Sequence, residues 1–149
     1  MRAAAISVIV VLMVISVSLL TWQKAQVWRA EDHFNKGSTY LNGGQWGKAM
    51  LEFNAAIKLK PDYAAAFNNR GKTYLKIGLL PLAFHDFDQA VTLAPRYAEA
   101  YYNRAVVFNL RGEYKWAYYD AKKAAELGFL VKPKELENLR RLSIKQGGN

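Results

Sequence analysis

The chain reads AEDHFNKGSTYLNGGQWGKAMLEFNAAIKLKPDY from Ala30 to Tyr63 and AAAFNNRGKTYLKIGLLPLAFHDFDQAVTLAPRY from Ala64 to Tyr97. Laid one under the other, the two stretches pair Gly37 with Gly71, Tyr40 with Tyr74, Ala49 with Ala83, Phe53 with Phe87, Ala56 with Ala90 and Pro61 with Pro95. Each partner lies 34 residues from its mate. A third stretch, Ala98 to Val131, keeps the small and aromatic classes at Ala105, Phe108, Ala117, Ala121, Ala124 and Phe129. It lacks the second phenylalanine and the closing proline. A fixed period of this length marks a fold built by stacking one small unit on the next.

The unit is a pair of helices. In the second stretch Phe67, Arg70, Gly71 and Tyr74 fall within roughly 100° on a helix of 3.6 residues per turn. Ala83, Phe87 and Ala90 do the same for a second helix. The small residues let two backbones approach, and the aromatics fill the space beside each close contact. Glycines in Asn42-Gly43-Gly44-Gln45, Ile77-Gly78 and Arg111-Gly112-Glu113 supply the break between paired helices, as a helix C-cap requires. Pro61 and Pro95 then close each pair, because proline cannot continue a helix interior. One pair cannot bury its own apolar face, so stacking supplies the core.

This register resembles the tetratricopeptide repeat family over residues 30–131, about two-thirds of the chain. The resemblance implies an all-α solenoid of three repeats, 30–63, 64–97 and 98–131. A capping helix is expected in 132–149, with Pro133 in its first turn and Leu136, Leu139 and Leu142 as its apolar edge.

Ahead of the repeats, Ala3 to Leu20 carries no charged residue. Eighteen residues at ~1.5 Å each would cover roughly 27 Å, close to a hydrocarbon core of ~30 Å. Residues 1–23 are therefore expected to be a transmembrane anchor, with Trp22 at the interface, and 24–29 a juxtamembrane segment. A cleavable signal ending near Ser16 or Ser18 is the competing reading. The expected localisation is a single-pass membrane protein. Lys24, Arg29 and Lys36 argue for a cytoplasmic repeat domain by charge count. The short basic start before the apolar run favours an exported one, periplasmic in a Gram-negative source.

Composition narrows the chemistry. The chain has no cysteine, which removes disulfides, thiolate metal sites and a cysteine nucleophile. Gly71-Lys72-Thr73 looks like the end of a phosphate loop, but the required earlier glycine is Ala66 and the triplet lies inside a helix. His33 and His85 have no helical histidine partner, and Glu52, Asp86 and Asp88 form no convincing catalytic pair. No enzyme activity, cofactor or metal is expected. The formal charge of +9 comes from 21 Lys and Arg against 12 Asp and Glu. Those bases are dispersed, with a modest concentration at Lys122, Lys123, Lys132, Lys134, Arg140, Arg141 and Lys145. Nucleic-acid or anionic-lipid binding is a lesser alternative.

In the family that the register resembles, the ligand surface is usually the concave face, lined by the first helix of each pair. Position 6 of each repeat is asparagine: Asn35, Asn69 and Asn103. Stacked repeats would set these amides in a row able to donate to and accept from a peptide backbone. The alternative is that they tie neighbouring helices together. Phe34, Lys72, Lys76, Glu99 and Tyr102 complete the expected partner-binding set. The family's clamp for the C-terminal carboxylate of cytosolic chaperones matches at Asn69 only. It would need lysine at Phe34, asparagine at Ser38, lysine at Glu99 and arginine at Asn103, and Glu99 would repel a carboxylate.

Trp46, Trp116, Tyr114, Tyr118 and Tyr119 are expected mostly to pack in or between repeats, with one of the two adjacent tyrosines exposed. The functional expectation is an anchored protein-interaction module, an adaptor or assembly subunit that holds either a peptide segment in its groove or integral membrane subunits. A fixed structural subunit of a membrane complex is the rival.

Overall fold

The computed structural model describes the backbone of residues 2–147 and the side chains of residues 11–146. It is all α. The seven helices among the described residues are α1 (Arg2–Asn42), α2 (Trp46–Leu59), α3 (Ala64–Lys76), α4 (Leu80–Leu93), α5 (Ala98–Leu110), α6 (Tyr114–Glu126) and α7 (Pro133–Gly147). They pack as successive antiparallel pairs, α1 with α2, α3 with α4, and α5 with α6, and α7 lies against α6.

The breaks inside the pairs share one backbone device. Gly44, Gly78 and Gly112 have φ of 71°, 78° and 75°, a left-handed conformation that costs glycine nothing. Each ends its helix in a pair of bonds that retire two orphan carbonyls. In the first, Gly44 N–H donates to the Leu41 carbonyl at 3.1 Å and Gln45 N–H to the Tyr40 carbonyl at 2.9 Å. After α6, where the closing proline is missing, Gly128 repeats the device with φ 93°, and Phe129 N–H donates to the Ala124 carbonyl at 2.9 Å.

What fixes each pair is contact between a glycine backbone and an aromatic ring. A Cβ added at Gly71 would lie 2.8 Å from Phe87 Cε1 and 2.9 Å from its Cδ1; at Gly37 the nearest atom would be Phe53 Cε1 at 2.7 Å. Phe53 and Phe87 are both fully buried. The third pair solves the same packing with Ala105 and Ala121, both buried. Leu139 of α7 joins them, with Leu136 beside it. The cap is also stitched on by Gln146, whose Nε2 donates to the Gly112 carbonyl at 2.8 Å and whose Oε1 accepts from Tyr114 N–H at 3.1 Å.

Helix α1 runs unbroken from Arg2 into the first repeat, with no turn at 24–29. Neither glycine nor proline occurs between Ala3 and Lys36 to interrupt it. The single-pass membrane localisation expected from residues 1–23 is corrected: among the described residues no helix is long and apolar enough to cross a membrane. The earlier part of that expectation, residues 1–10, lies outside the described side chains.

Gly71→Ala should cost about 1–3 kcal/mol, because Phe87 has no room to retreat. In a Phe87→Ala background the same change should be nearly free, as the alanine pair of the third repeat already illustrates. Urea melts of the four proteins measure the coupling, and equal costs in both backgrounds would refute the close-contact account.

Candidate functional site

Helix α3 touches α1 and α5, its counterparts in the flanking pairs, so the first helices draw together and line the inner face. Their side chains form a continuous chain of hydrogen bonds. Asn103 Nδ2 donates to Asn68 Oδ1 at 2.9 Å. Asn68 Nδ2 donates to the Tyr97 hydroxyl at 3.1 Å and to Asn69 Oδ1 at 3.4 Å, the longest link. Asn69 Nδ2 donates to Ser38 Oγ at 3.2 Å, and Ser38 Oγ to the Phe34 carbonyl at 2.9 Å.

Asn69 and Asn103 therefore take part in tying neighbouring helices, the alternative that their spacing left open. They are nonetheless only half-buried. Asn35 is exposed and outside the chain; only its backbone carbonyl is engaged, by Thr39 Oγ1 at 3.0 Å. The residue that sequence reasoning missed is Asn68, fully buried and bonded three ways. Its signal was an asparagine pair, Asn68-Asn69, where the other two repeats offer one asparagine.

The remaining expected residues are distributed around this chain. Lys72 Nζ bonds Glu99 Oε1 at 2.9 Å across the seam between the second and third repeats, with side-chain exposures of 38% and 35%. Tyr102 donates to Glu135 Oε1 of α7 at 3.0 Å and stacks on Phe129 with centroids 4.7 Å apart. Burial, then the Glu135 bond, raises the Tyr102 pKa. Phe34 is half-buried and packs on Tyr63 at 5.0 Å. Lys76 is exposed at the end of α3.

On the packing side lies a second polar system that sequence reading did not foresee. Arg70 meets Asp86 through two bonds of 2.7 Å and sends Nη1 to Asn54 of the preceding repeat at 2.6 Å. Arg104 repeats this 34 residues on, with Asp120 at 2.6 and 2.9 Å and Asp88 at 2.7 Å. Burial alone would lower the two arginine pKa values, but bonds and charges from Asp86, and from Asp120 and Asp88, outweigh it and raise both. In the first repeat this strut is absent: Lys36 pairs with Asp32 at 2.7 Å, and Glu52 bonds His33 at 2.6 Å. The recurring Arg and Asp at 70, 86, 104 and 120 were the available signal.

One packing expectation changes: Trp116 is 55% exposed, although its ring centroid lies 6.5 Å from that of Phe108 on α5. Of the two adjacent tyrosines Tyr119 is exposed and Tyr118 half-buried. His85 is exposed, 3.6 Å from Asp86. Among the described residues no group of three or more His, Asp or Glu side chains is gathered for a metal ion.

Asp86→Ala should destabilise by about 3–5 kcal/mol, since it strands a half-buried guanidinium. Glu99→Ala should cost under about 1 kcal/mol, as an exposed pair does. Similar costs in denaturant titrations would overturn this ranking. Tyr97 supplies a pH test. Burial, then the Glu99 charge, push its pKa up to about 12, against an opposing bond from Asn68. A raised folded pKa favours the neutral phenol, so its contribution is complete below about pH 10 and lost as pH rises through about 12. Tyr97→Phe should therefore flatten part of the loss of stability over that window, and an unchanged slope would refute the assignment.

Comparison with known proteins follows the same architecture. A family model described as TPR repeat matches residues 37–78, and one described as Tetratricopeptide repeat matches residues 69–127. No curated protein matches. Among solved structures, the Arabidopsis OM64 TPR domain is 25% identical with a TM-score of 0.71, over 81% of this chain and 98% of that one. The first TPR of Spaghetti (RPAP3), bound to HSP90 peptide SRMEEVD, is 21% identical with a TM-score of 0.72, over 82% and 96%. The TPR2B domain of yeast Sti1, in a complex with pHsp70, is 24% identical with a TM-score of 0.69, over 80% and 98%. Residues 37–127 are tetratricopeptide repeat sequence, and the chain is a tetratricopeptide repeat protein of the all-α solenoid class.

Proposed function

We propose that the chain is a docking module whose inner face, along α1, α3 and α5, receives an extended segment of another polypeptide. One observation carries this reading. Asn69 and Asn103 are braced by neighbours at 3.2 and 2.9 Å yet stay half-exposed. An amide has two N–H donors and a carbonyl with two lone pairs, so each keeps capacity beyond its brace. Amides held in place in this way lose little freedom on binding.

The similar domains described with HSP90 and Hsp70 ligands support a protein segment as the ligand class. They do not extend to the same end group. Four of the five clamp positions here are Phe34, Ser38, Glu99 and Asn103, which leaves a terminal carboxylate without its cations. A segment read along its backbone fits these residues better.

The test uses the full chain, immobilised in mild non-ionic detergent and offered random dodecapeptides displayed with free C-termini. Peptides enriched on the natural chain should bind Asn69→Ala/Asn103→Ala at least about tenfold more weakly, the loss expected when two groove amides are removed. Helix content by circular dichroism should persist, with melting lowered by no more than the roughly 0.5–1.5 kcal/mol that each neutral bond contributes. Undiminished capture by the double variant would move the binding surface off the inner face.

A further inference from the structure

The hydrogen-bond chain along the groove leaves an open acceptor at its third-repeat end. Starting from the third repeat, every link donates the same way: Asn103 to Asn68, Asn68 to Asn69, Asn69 to Ser38, and Ser38 to the Phe34 carbonyl. It ends on a backbone carbonyl, which is satisfied. It begins at Asn103, which has one of its two N–H groups engaged and whose Oδ1 is not used by any described side chain. Hydrogen bonds in series polarise one another, so a donor arriving at Asn103 Oδ1 strengthens every link behind it. An acceptor arriving there meets a carbonyl oxygen.

Asn68 holds the chain together at its centre. It is fully buried, with both N–H groups given to Tyr97 and Asn69 and its oxygen taken by Asn103. Turning its amide over alone would set oxygen against oxygen at Asn69 and nitrogen against nitrogen at Asn103, while the Tyr97 hydroxyl could turn to donate. That leaves buried groups unmatched at about 1–3 kcal/mol apiece. Asn68 is thus a positioning residue for the groove.

The charges beside the free end agree. Glu99 lies one helical turn before Asn103, and Glu135 reaches in from α7 to the Tyr102 hydroxyl at 3.0 Å. Lys72, the groove cation nearest to Glu99, is already held by it at 2.9 Å. No ion pair involves Glu135 among the described residues. The third-repeat end of the groove is therefore acceptor-rich on a chain whose formal charge is +9.

We infer that the groove takes an internal stretch of polypeptide bearing a cationic side chain, with an N–H donor of the segment seated on Asn103 Oδ1 and the cation at Glu99 and Glu135. This rests on the inner-face reading above and names the chemistry of its ligand.

The dodecapeptide selection decides it by composition. Peptides that depend on Asn69 and Asn103 should be enriched in lysine or arginine at one fixed position, and should tolerate amidation of the C-terminus. Their affinity, read by fluorescence anisotropy, should fall at least about tenfold in Glu99→Lys. Asn68→Asp, which cannot donate to Tyr97 and Asn69, should weaken them comparably. His85→Ala, exposed on the second helix of its pair, should leave them unchanged and serves as the control for a general effect on the surface. Groove-dependent peptides that are acidic, that need a free C-terminal carboxylate, or that bind Glu99→Lys better would overturn the inference while leaving the inner-face reading intact. Peptides indifferent to the asparagines, or no enrichment at all, would remove both.

Discussion

The whole array depends on how closely two helices of a pair can approach. Where Gly37 and Gly71 present bare backbone, the rings of Phe53 and Phe87 lie against it with no space for even one methyl group. That contact fixes the spacing within a pair, and the spacing fixes the angle at which the next pair must stack. Everything on the inner face inherits its position from there. The amides of α3 and α5 come within reach of one another only because their helices are held at one separation, and a chain of five donors and acceptors has little tolerance for error in it.

Interiors packed this tightly are not compressible, so the third pair could not simply lose its phenylalanine. It exchanged the glycine and the ring for two alanines and brought Leu139 of α7 into the vacated space. The cap is therefore part of the core of the last repeat. This explains why one helix does three things at once: it fills a void, it accepts the Tyr102 hydroxyl, and through Gln146 it finishes the turn at Gly112.

The fold was legible because its determinants recur. Small, aromatic and turn-forming residues reappear every 34 positions, and a period seen three times is hard to misread. The inner face was an expectation drawn from the family that the register resembles, with helix geometry used only to assign positions to it. What could not be read was which polar groups spend their bonds on each other. Asn68 and Asn69 are identical in sequence, yet one is wholly enclosed and the other half-open, a difference set by a neighbouring repeat 29 to 35 residues away. The Arg70 and Arg104 struts were missed for a similar reason: Arg70 was placed in the packing stripe, but its partners Asp86 and Asn54 lie 16 residues away on other helices. The N-terminal expectation went astray differently: hydropathy was read as a separate segment, whereas the helix continues through it into the first repeat.

The two struts are alike in design but unequal at the seams between repeats. Arg104 crosses from the third repeat to a carboxylate, Asp88, whereas Arg70 crosses from the second to a neutral amide, Asn54. Both bonds are charge-assisted, but only the first pairs opposite charges. In a linear array, where each unit leans only on its neighbours, the weaker seam is where opening begins. Slow hydrogen exchange should accordingly concentrate in α3 to α7, with α1 and α2 parting first. The groove then has a firm end and a yielding end, and a long ligand could anchor on the one before the other closes around it.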